Sequence, residues 1–299
     1  MKYCMVLSVA VVGSLATSSL AQNFGARIVD GSAVLDYTAN GTGSLPTIPF
    51  GNGGDVLMHF QLDGAPGAPG TSHVASGNWF YRFAGDTRER HLANAVSRNV
   101  SGNYAEWEFD KVYTGGSTLT QVPDVIAHMD YLVTDTGPDT AIYSTGLCFT
   151  NFGTQTHVID IFYAVDIDLG TTTGGDTYLP LSVNSSGRMW TITDGSTTGL
   201  MFGRYADGAV CGPFSTIMGS MTDPFLSNYI PDPNPGGFPA GDNAAIMQRQ
   251  ILLPPGQRVC VETVVGIGRN GAIPDVPAPG ASVLAAIAGL AAHRRTRRT

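Results

Sequence analysis

The amino-acid sequence predicts an all-β protein, an antiparallel β-sandwich with few short helices. Three observations favour this class: segments that alternate apolar and polar residues, turns rich in glycine and proline between them, and no repeated unit of strand followed by helix. The 299 residues include 38 glycines and 18 prolines. Without its two terminal signals the chain keeps about 250 residues, enough for one large sandwich or for two small domains.

The first half of the chain contains four predicted strands. The first two predicted strands are the apolar segment Asp55–Leu62 and the aromatic-rich segment Asn78–Phe83. Tyr104–Tyr113 alternates, with Trp107 on its apolar face, and is therefore predicted to be half-buried. Val125–Val133 is predicted to be its partner strand.

The strongest pattern lies in the middle of the chain. Ala141–Thr150 and Thr156–Leu169 are separated by a turn at residues 151–154, and the economical interpretation is one long antiparallel hairpin. In the second arm, one face is predicted to carry the apolar side chains Ile159, Ile161, Tyr163, Val165, Ile167 and Leu169.

The second half of the chain predicts two more hairpins. Residues 188–193 and 199–205 flank an Asp-Gly turn, and residues 244–253 and 258–267 flank a Pro-Pro-Gly-Gln turn. Between these hairpins, Asp223 and Pro224 are suited to cap and begin a short helix that runs to Tyr229.

The N-terminus predicts export. Lys2 precedes an apolar run from Met5 to Val12, and Ser19-Leu20-Ala21 has the small residues that a signal peptidase recognises. Residues 1–21 are therefore predicted to be a signal peptide, and residues 22–273 the β-sandwich body.

The C-terminal segment, residues 274–299, has three parts: a Pro-rich start, an apolar run of small residues, and a basic end. The apolar run is shorter than the roughly 20 residues that a membrane-spanning helix needs. The segment resembles the PEP-CTERM sorting signal of bacterial envelope proteins through Val276, Pro277, Ala278, Pro279, Arg294, Arg295, Arg297 and Arg298. Ala278 stands where that family usually has Glu. The resemblance implies handling by an exosortase-like enzyme, contact with the membrane through this segment, and a final location at the cell surface or in the extracellular matrix of a bacterium.

Charge and cysteine content restrict the function further. Residues 22–275 contain 11 Lys and Arg against 24 Asp and Glu, a net charge of −13, which argues against a nucleic-acid partner. Removal of the signal peptide leaves Cys148, Cys211 and Cys260. At most one disulfide can form among them, and all three pairings are open from the sequence. A bridge that includes Cys148 is favoured because export compartments are oxidising.

Two groups of residues are candidates for carbohydrate chemistry. Glu106, Glu108 and Asp110 share one face of a predicted strand, as the paired carboxylates of β-sandwich glycosidases do, although the solvent face of any strand in an acidic protein looks the same. Trp79 and Tyr81 could line a glycan-binding face, whereas aromatic residues of this kind more often fill a sandwich core.

The best metal-site candidate is acidic. Asp166 and Asp168 precede a Gly-rich turn, and Asp176 follows it. Calcium prefers several oxygen ligands, and three crowded carboxylates repel one another unless a cation intervenes. The competing interpretation is a solvated acidic turn.

No convergent catalytic set can be assembled from the sequence. We therefore expect an exported, surface-displayed protein that acts by binding or by structural assembly in the envelope, with an extracellular polysaccharide as the ligand class. The alternative is a secreted polysaccharide-active hydrolase of the β-sandwich type.

Overall fold

The computed structural model describes residues 26–39, 56–61, 73–74, 76–87, 89–92, 95–115, 120–169, 175–213, 216–217 and 236–275. Within these ranges the chain is almost entirely extended, and every strand pairing is antiparallel. The described strands are β1 (Ala26–Asp30), β2 (Ala33–Ala39), β3 (Val56–Gln61), β4 (Ser76–Phe83), β5 (Arg90–His91), β6 (Ser97–Ser101), β7 (Tyr104–Phe109), β8 (Tyr113–Thr114), β9 (Thr120–Gln121), β10 (Val125–Gly137), β11 (Thr140–Asn151), β12 (His157–Asp166), β13 (Asp176–Tyr178), β14 (Ser182–Asn184), β15 (Gly187–Asp194), β16 (Thr197–Arg204), β17 (Gly208–Pro213), β18 (Phe238–Gly241), β19 (Asn243–Leu253) and β20 (Arg258–Gly268).

The strands form two main layers. The large sheet has the order β18-β13-β15-β16-β20-β11-β10-β7-β6, with β14 paired to β15. The smaller sheet has the order β17-β19-β12-β4-β5. A three-stranded sheet, β1-β2-β3, and the short pair β8-β9 complete the pattern.

The two main sheets face each other across a shared core, so the predicted antiparallel β-sandwich is confirmed. The hydroxyls of Tyr143 in the large sheet and Tyr163 in the smaller sheet are 3.1 Å apart. The indole Nε1 of Trp79 in the smaller sheet donates to the Thr145 Oγ1 of the large sheet across 2.8 Å. One continuous apolar cluster includes buried residues from Ile28 to Ile267.

The three-stranded sheet adds to the second layer. Tyr37 of β2 is buried, and the centroid of its ring lies 4.3 Å from that of Trp107 and 5.5 Å from that of Tyr131. These two partners lie on β7 and β10, which pair with each other as the sequence predicts. The N-terminal part of the body therefore covers one end of the large sheet.

The long central hairpin predicted from residues 141–169 is wrong. Its first arm, β11, pairs with β10 and β20 in the large sheet, whereas its second arm, β12, pairs with β4 and β19 in the smaller sheet. The turn carries the chain from one layer to the other. Both arms are buried on both faces, so their apolar patterns do not specify which neighbour pairs with which arm.

The last predicted hairpin is wrong for the same reason. β19 belongs to the smaller sheet and β20 to the large one, and the turn at residues 254–257 crosses between them. By contrast, β15 and β16 do pair as a hairpin, from Gly187 opposite Arg204 to Asp194 opposite Thr197. Gly195 in its turn has φ +56°, a conformation that glycine adopts without steric cost.

A disulfide joins Cys148 to Cys260, directly paired residues on β11 and β20. The expected bridge that includes Cys148 is therefore confirmed. Cys211 is buried on β17 and does not belong to this disulfide. β11 and β20 are central strands of the large sheet, and the bridge between them joins cysteines that are 112 residues apart in the sequence.

Several predicted segments lie outside the described residues. They are the signal peptide, the sorting motif with its terminal arginines, and the short helix at residues 223–229. In the part of the chain that the structure describes, we find no helix with the length and apolar character that crossing a membrane requires.

Candidate metal centre

The acidic candidates from the sequence lie at the end of β12. Asp166 is its last residue, and Asp168 lies two residues further along the chain. The intervening Ile167 and the following Leu169 are fully buried in the sandwich core. Extended geometry therefore directs Asp166 and Asp168 away from that core, to the same side of the chain.

A third carboxylate reaches this position from a distant part of the chain. Asp242 lies between β18 and β19, and β19 pairs with β12 so that Ala244 is opposite Asp166. One carboxylate oxygen from each of Asp166, Asp168 and Asp242 lies within 4.8 Å of the other two. Sequence reasoning missed Asp242 because its place in the cluster depends on the pairing of β12 with β19, which no local pattern reveals.

Asp176, the third residue predicted from the sequence, lies beside this cluster. It is the first residue of β13 and pairs with Gly241, the neighbour of Asp242. Its side chain is fully buried. Asp176 Oδ1 accepts a hydrogen bond from the Leu169 amide across 3.0 Å, which fixes the carboxylate against the end of the β12 segment.

Neighbouring side chains hold the strands that carry the cluster. The Asn243 amide donates to the main-chain oxygens of Asp176 and Pro239, each across 3.0 Å. The Tyr178 hydroxyl donates to the Asn243 main-chain oxygen across 3.4 Å. The position of Asp242 is therefore set by a buried polar network next to it.

The electrostatics of the cluster disfavour negative charge. Burial, followed by the charges of Asp168, Asp242 and Asp176, raises the pKa of Asp166 to about 8. Burial, together with the carboxylates of Asp168, Asp194 and Asp242, raises the pKa of Asp176 to about 7, although the hydrogen bond from Leu169 lowers it. The pKa of Asp168 is raised by burial and by Asp242. Each charged side chain that shifts these three pKa values is itself acidic.

Several oxygens of the cluster lack a hydrogen-bond donor. Among the described residues, no partner contacts Asp166 Oδ1, Asp168 Oδ1 or Asp176 Oδ2, although all three atoms are buried. Asp166 is only 6% exposed and Asp176 is 0% exposed. A buried carboxylate oxygen without a donor is costly unless a proton or a cation satisfies it.

The geometry of the cluster fits a hard cation. Calcium binds oxygen at about 2.3–2.6 Å, so two of its ligands can be at most about 4.6–5.2 Å apart. The 4.8 Å separation of the three carboxylates lies within that range. Asp166, Asp168 and Asp242 could therefore hold one calcium ion, with Asp176 beside them.

Of the three catalytic candidates, Glu106 and Glu108 lie on the same face of β7, and Asp110 lies outside the strand. Glu106 is opposite Asp130, whereas Glu108 is opposite His128, with 3.4 Å between Glu108 Oε2 and His128 Nε2. Asp110 is exposed beyond the end of β7.

The pairing instead forms a row of acidic residues across the outer face of the large sheet: Glu106, Asp130 and, beyond Gly146, Glu262. The Asp130 carboxylate lies over Gly146, where an added Cβ would be 3.2 Å from Asp130 Oδ1. Burial, Glu262 and Glu106 raise the pKa of Asp130 to about 7. Sequence reasoning missed Asp130 and Glu262 because they lie on other strands.

The glycan-binding hypothesis for Trp79 and Tyr81 is wrong in this structure. Both side chains are 1% exposed and point into the sandwich core from β4. Trp79 packs on Tyr163, with 4.8 Å between ring centroids, and Tyr81 accepts a hydrogen bond on its hydroxyl from the Tyr113 amide. A glycan could not reach either ring.

Several solved structures are similar to this chain in fold, but no family was identified for it. No protein-family model and no curated protein sequence matches the chain. Similar solved structures include a bacterial glucoamylase complexed with acarbose, with 10% identity and a TM-score of 0.49. Others are a gh92-family glycosyl hydrolase, with 10% identity and a TM-score of 0.43, and a putative aldose 1-epimerase from Escherichia coli K12, with 11% identity and a TM-score of 0.41.

The extent of these matches differs. The alignments cover 84%, 83% and 82% of this chain, and 33%, 30% and 99% of the three other chains in the same order. The chain thus spans about a third of the length of the first two. At these identities and TM-scores, the likeness carries no argument about ligand or reaction.

Proposed function

We propose that the protein is an exported, surface-displayed binding or structural protein of a bacterial envelope, whose β-sandwich holds one calcium ion and binds an extracellular polysaccharide. The observation that carries the proposal is the carboxylate cluster of Asp166, which is buried, Asp168, which is half-buried, and Asp242, which is exposed, with the buried Asp176 beside it. A calcium ion would satisfy the unpartnered oxygens and cancel the mutual repulsion of the carboxylates.

The ion would join three parts of the fold. Asp166 ends β12 and Asp168 follows it, and Asp242 lies between β18 and β19. β18 belongs to the large sheet and β12 and β19 to the smaller one, so calcium would hold the end of β12 to the connection between the two layers at this end of the sandwich. A structural ion of this kind suits a protein that works outside the cell, where free calcium supports the millimolar affinity typical of extracellular modules.

Export and anchoring are parts of the same proposal. The signal-peptide pattern in residues 1–21 and the PEP-CTERM-like segment in residues 274–299 support them, with a signal peptidase and an exosortase-like enzyme as the processing partners. The disulfide between Cys148 and Cys260 also supports export, because such bonds persist in oxidising compartments.

Calorimetric titration of the calcium-free protein tests the metal part of this proposal. We expect the wild type to bind one calcium ion per chain, and the double variant Asp166→Asn/Asp242→Asn to bind none. Asp110→Asn is the matched control, because it removes one exposed carboxylate outside the cluster. Equal calcium binding by the double variant and the wild type would contradict the assignment.

A polysaccharide-active hydrolase is the second candidate function. It is favoured by the acidic row on the large sheet, where Glu106 lies opposite Asp130 and the pKa of Asp130 is raised to about 7. Glycoside hydrolysis uses a carboxyl group that stays protonated near neutral pH together with a second acidic side chain. Release of reducing sugar from acidic and neutral polysaccharides, abolished by Asp130→Asn and by Glu106→Gln, would establish this function in place of simple binding.

A further inference from the structure

A tyrosine with two arginines over its ring lies in the turn between β16 and β17. Tyr205 is 47% exposed. The guanidinium carbon of Arg204 is 5.2 Å from the centre of the Tyr205 ring, and that of Arg249 is 5.0 Å from it. The two cations come from different sheets, since Arg204 ends β16 and Arg249 lies on β19.

Tyr205 has an unusual backbone conformation. Its φ is +53°, in the left-handed region that a bulky residue rarely adopts. The turn is nevertheless firmly held. The Tyr205 amide donates to the Ser186 oxygen across 2.9 Å, the Arg188 guanidinium donates to the Ala206 oxygen, and Asp207 Oδ2 accepts the Gln250 amide across 2.8 Å. A left-handed backbone conformation that presents a half-exposed tyrosine points to a role in contact with a ligand.

The arginines differ in how far their charge is neutralised. Arg204 Nη1 forms an ion pair with Glu262 Oε2 across 3.0 Å. The Arg249 guanidinium contacts the Tyr205 ring. Among the described residues, no carboxylate lies within ion-pair distance of this guanidinium. Arg188, Arg204 and Arg249 stand against the carboxylates of Glu262 and Asp207, so the turn has one positive charge in excess beside an exposed aromatic ring, in a body with a net charge of −13.

We propose that Tyr205, Arg204 and Arg249 form a binding subsite for a carboxylate-bearing sugar, a uronate residue of an extracellular polysaccharide. The proposal rests on the proposed function for the ligand class and assigns that ligand a place. The exposed part of the Tyr205 side chain contacts the sugar, while Arg249 forms paired hydrogen bonds with the uronate carboxylate. Arg204, already paired with Glu262, orients the ring.

The charge of the body restricts the ligand further. A dense polyanion such as a nucleic acid is repelled by the acidic surface outside this patch, whereas a polysaccharide with isolated carboxylates meets the arginines without that penalty. The subsite therefore favours chains in which uronate alternates with a neutral sugar. It also lies apart from the Asp166 cluster, and none of its residues is a metal-ligand candidate.

Binding of defined oligosaccharides to the full protein tests the subsite. The probes are a hyaluronan hexasaccharide, in which glucuronate alternates with a neutral amino sugar, and chitohexaose as the neutral counterpart. We expect measurable affinity for hyaluronan oligosaccharide and at least tenfold weaker affinity for chitohexaose. Tyr205→Gly and Arg249→Gln should each weaken hyaluronan binding at least tenfold, whereas Arg98→Gln on the exposed strand β6 should not.

The variant Tyr205→Gly separates a binding role from a structural one. Glycine adopts the left-handed conformation without steric cost, so this variant should keep or raise the melting temperature while it loses affinity. Unchanged hyaluronan affinity in Tyr205→Gly and Arg249→Gln would overturn the subsite. So would equal binding of poly-glutamate, which would show simple anion attraction.

The remaining outcomes separate this inference from the proposed function. Binding of chitohexaose as tight as that of hyaluronan, unaffected by Tyr205→Gly, would leave a glycan-binding protein but remove this subsite. Absence of binding to either oligosaccharide, together with the calcium stoichiometry of one, would remove the uronate subsite and leave the metal assignment in place.

Discussion

The side-chain amide of Asn151 donates a hydrogen bond to the main-chain oxygen of Leu253 across 3.1 Å. These two residues lie at the ends of β11 and β19, where the chain crosses from one sheet to the other in two separate turns. The same amide donates to the Gln155 oxygen across 2.7 Å, and Asn151 Oδ1 accepts the Gly153 amide across 2.9 Å. One buried side chain thus joins both crossings.

Substitution Asn151→Ala should therefore destabilise the fold by about 2–4 kcal/mol, because it removes three hydrogen bonds and leaves buried main-chain groups without partners. Urea unfolding measures the change. Asn184→Ala is the control, because the Asn184 side chain accepts hydrogen bonds within one exposed turn, and we expect it to cost less than about 1 kcal/mol. Equal effects of the two substitutions would show that the crossings do not depend on Asn151.

Calcium should raise the melting temperature of the wild type. At a free concentration 100 times its dissociation constant, an ion that binds only the folded state adds about 2.7 kcal/mol. For a body of this size that is roughly 5–10 °C. Asp168→Asn and Asp242→Asn should melt at nearly the same temperature in calcium and in chelator, and Asp110→Asn should respond as the wild type does. Equal wild-type melting temperatures in calcium and in chelator would reduce the cluster to an acidic turn.

The acidic row on the large sheet predicts a pH dependence. Burial raises the pKa of Asp130 to about 7, so the folded state holds this proton more tightly than the unfolded state, where the carboxyl titrates near pH 4. Its contribution to stability is full below about pH 4 and is lost as the pH rises through 7. Other buried carboxyls titrate in the same window, so the comparison with Asp130→Asn isolates this one.

We expect Asp130→Asn to be more stable than the wild type at pH 8, by about 1–3 kcal/mol, and to lose this advantage by pH 4. Urea unfolding of both proteins across this range is the measurement. A stability difference that does not vary with pH would show that Asp130 is ionised in the folded protein near neutral pH, as an ordinary surface carboxylate is.

The C-terminal segment should be required for surface retention. The structure places Pro274 against the outer face of the large sheet, where an added Cβ on Gly266 would be 2.9 Å from Pro274 Cγ. A deletion that spares the fold therefore begins at residue 276. We expect cells that express this deletion to release the protein into the medium, as cell fractionation would show. A truncated protein that stays attached to the envelope as before would contradict the anchoring role.

Sequence patterns predicted the long strands of the two main sheets, missed β1, β2, β6, β17 and most of the shortest strands, and predicted the strand partners less well. Local alternation and turn residues are sufficient for β15 and β16, which meet across a two-residue turn. They fail for β11 and β12, because a reversal of the chain has the same local signature whether the arms pair or cross between layers.

The residues of the candidate sites could likewise be grouped correctly only where they are close in the sequence. Asp166, Asp168 and Asp176 are close in the sequence and were predicted to lie together. Asp242 comes from the far end of the body, and it joins them only through the pairing of β12 with β19. Trp79 could not be assigned to surface or core from its own segment, because β4 is buried on both faces.

The position of β20 also sets the order in which the molecule can assemble. This last strand lies between β11 and β16, so the large sheet remains divided into two parts until the C-terminal end of the body is present. Pairings between segments so distant in the chain form slowly, since the entropy of closing the intervening loop is lost before the contacts are gained. During synthesis the two parts of the large sheet therefore stay unjoined until nearly all of the body has emerged, and this delay would suit the export that we propose.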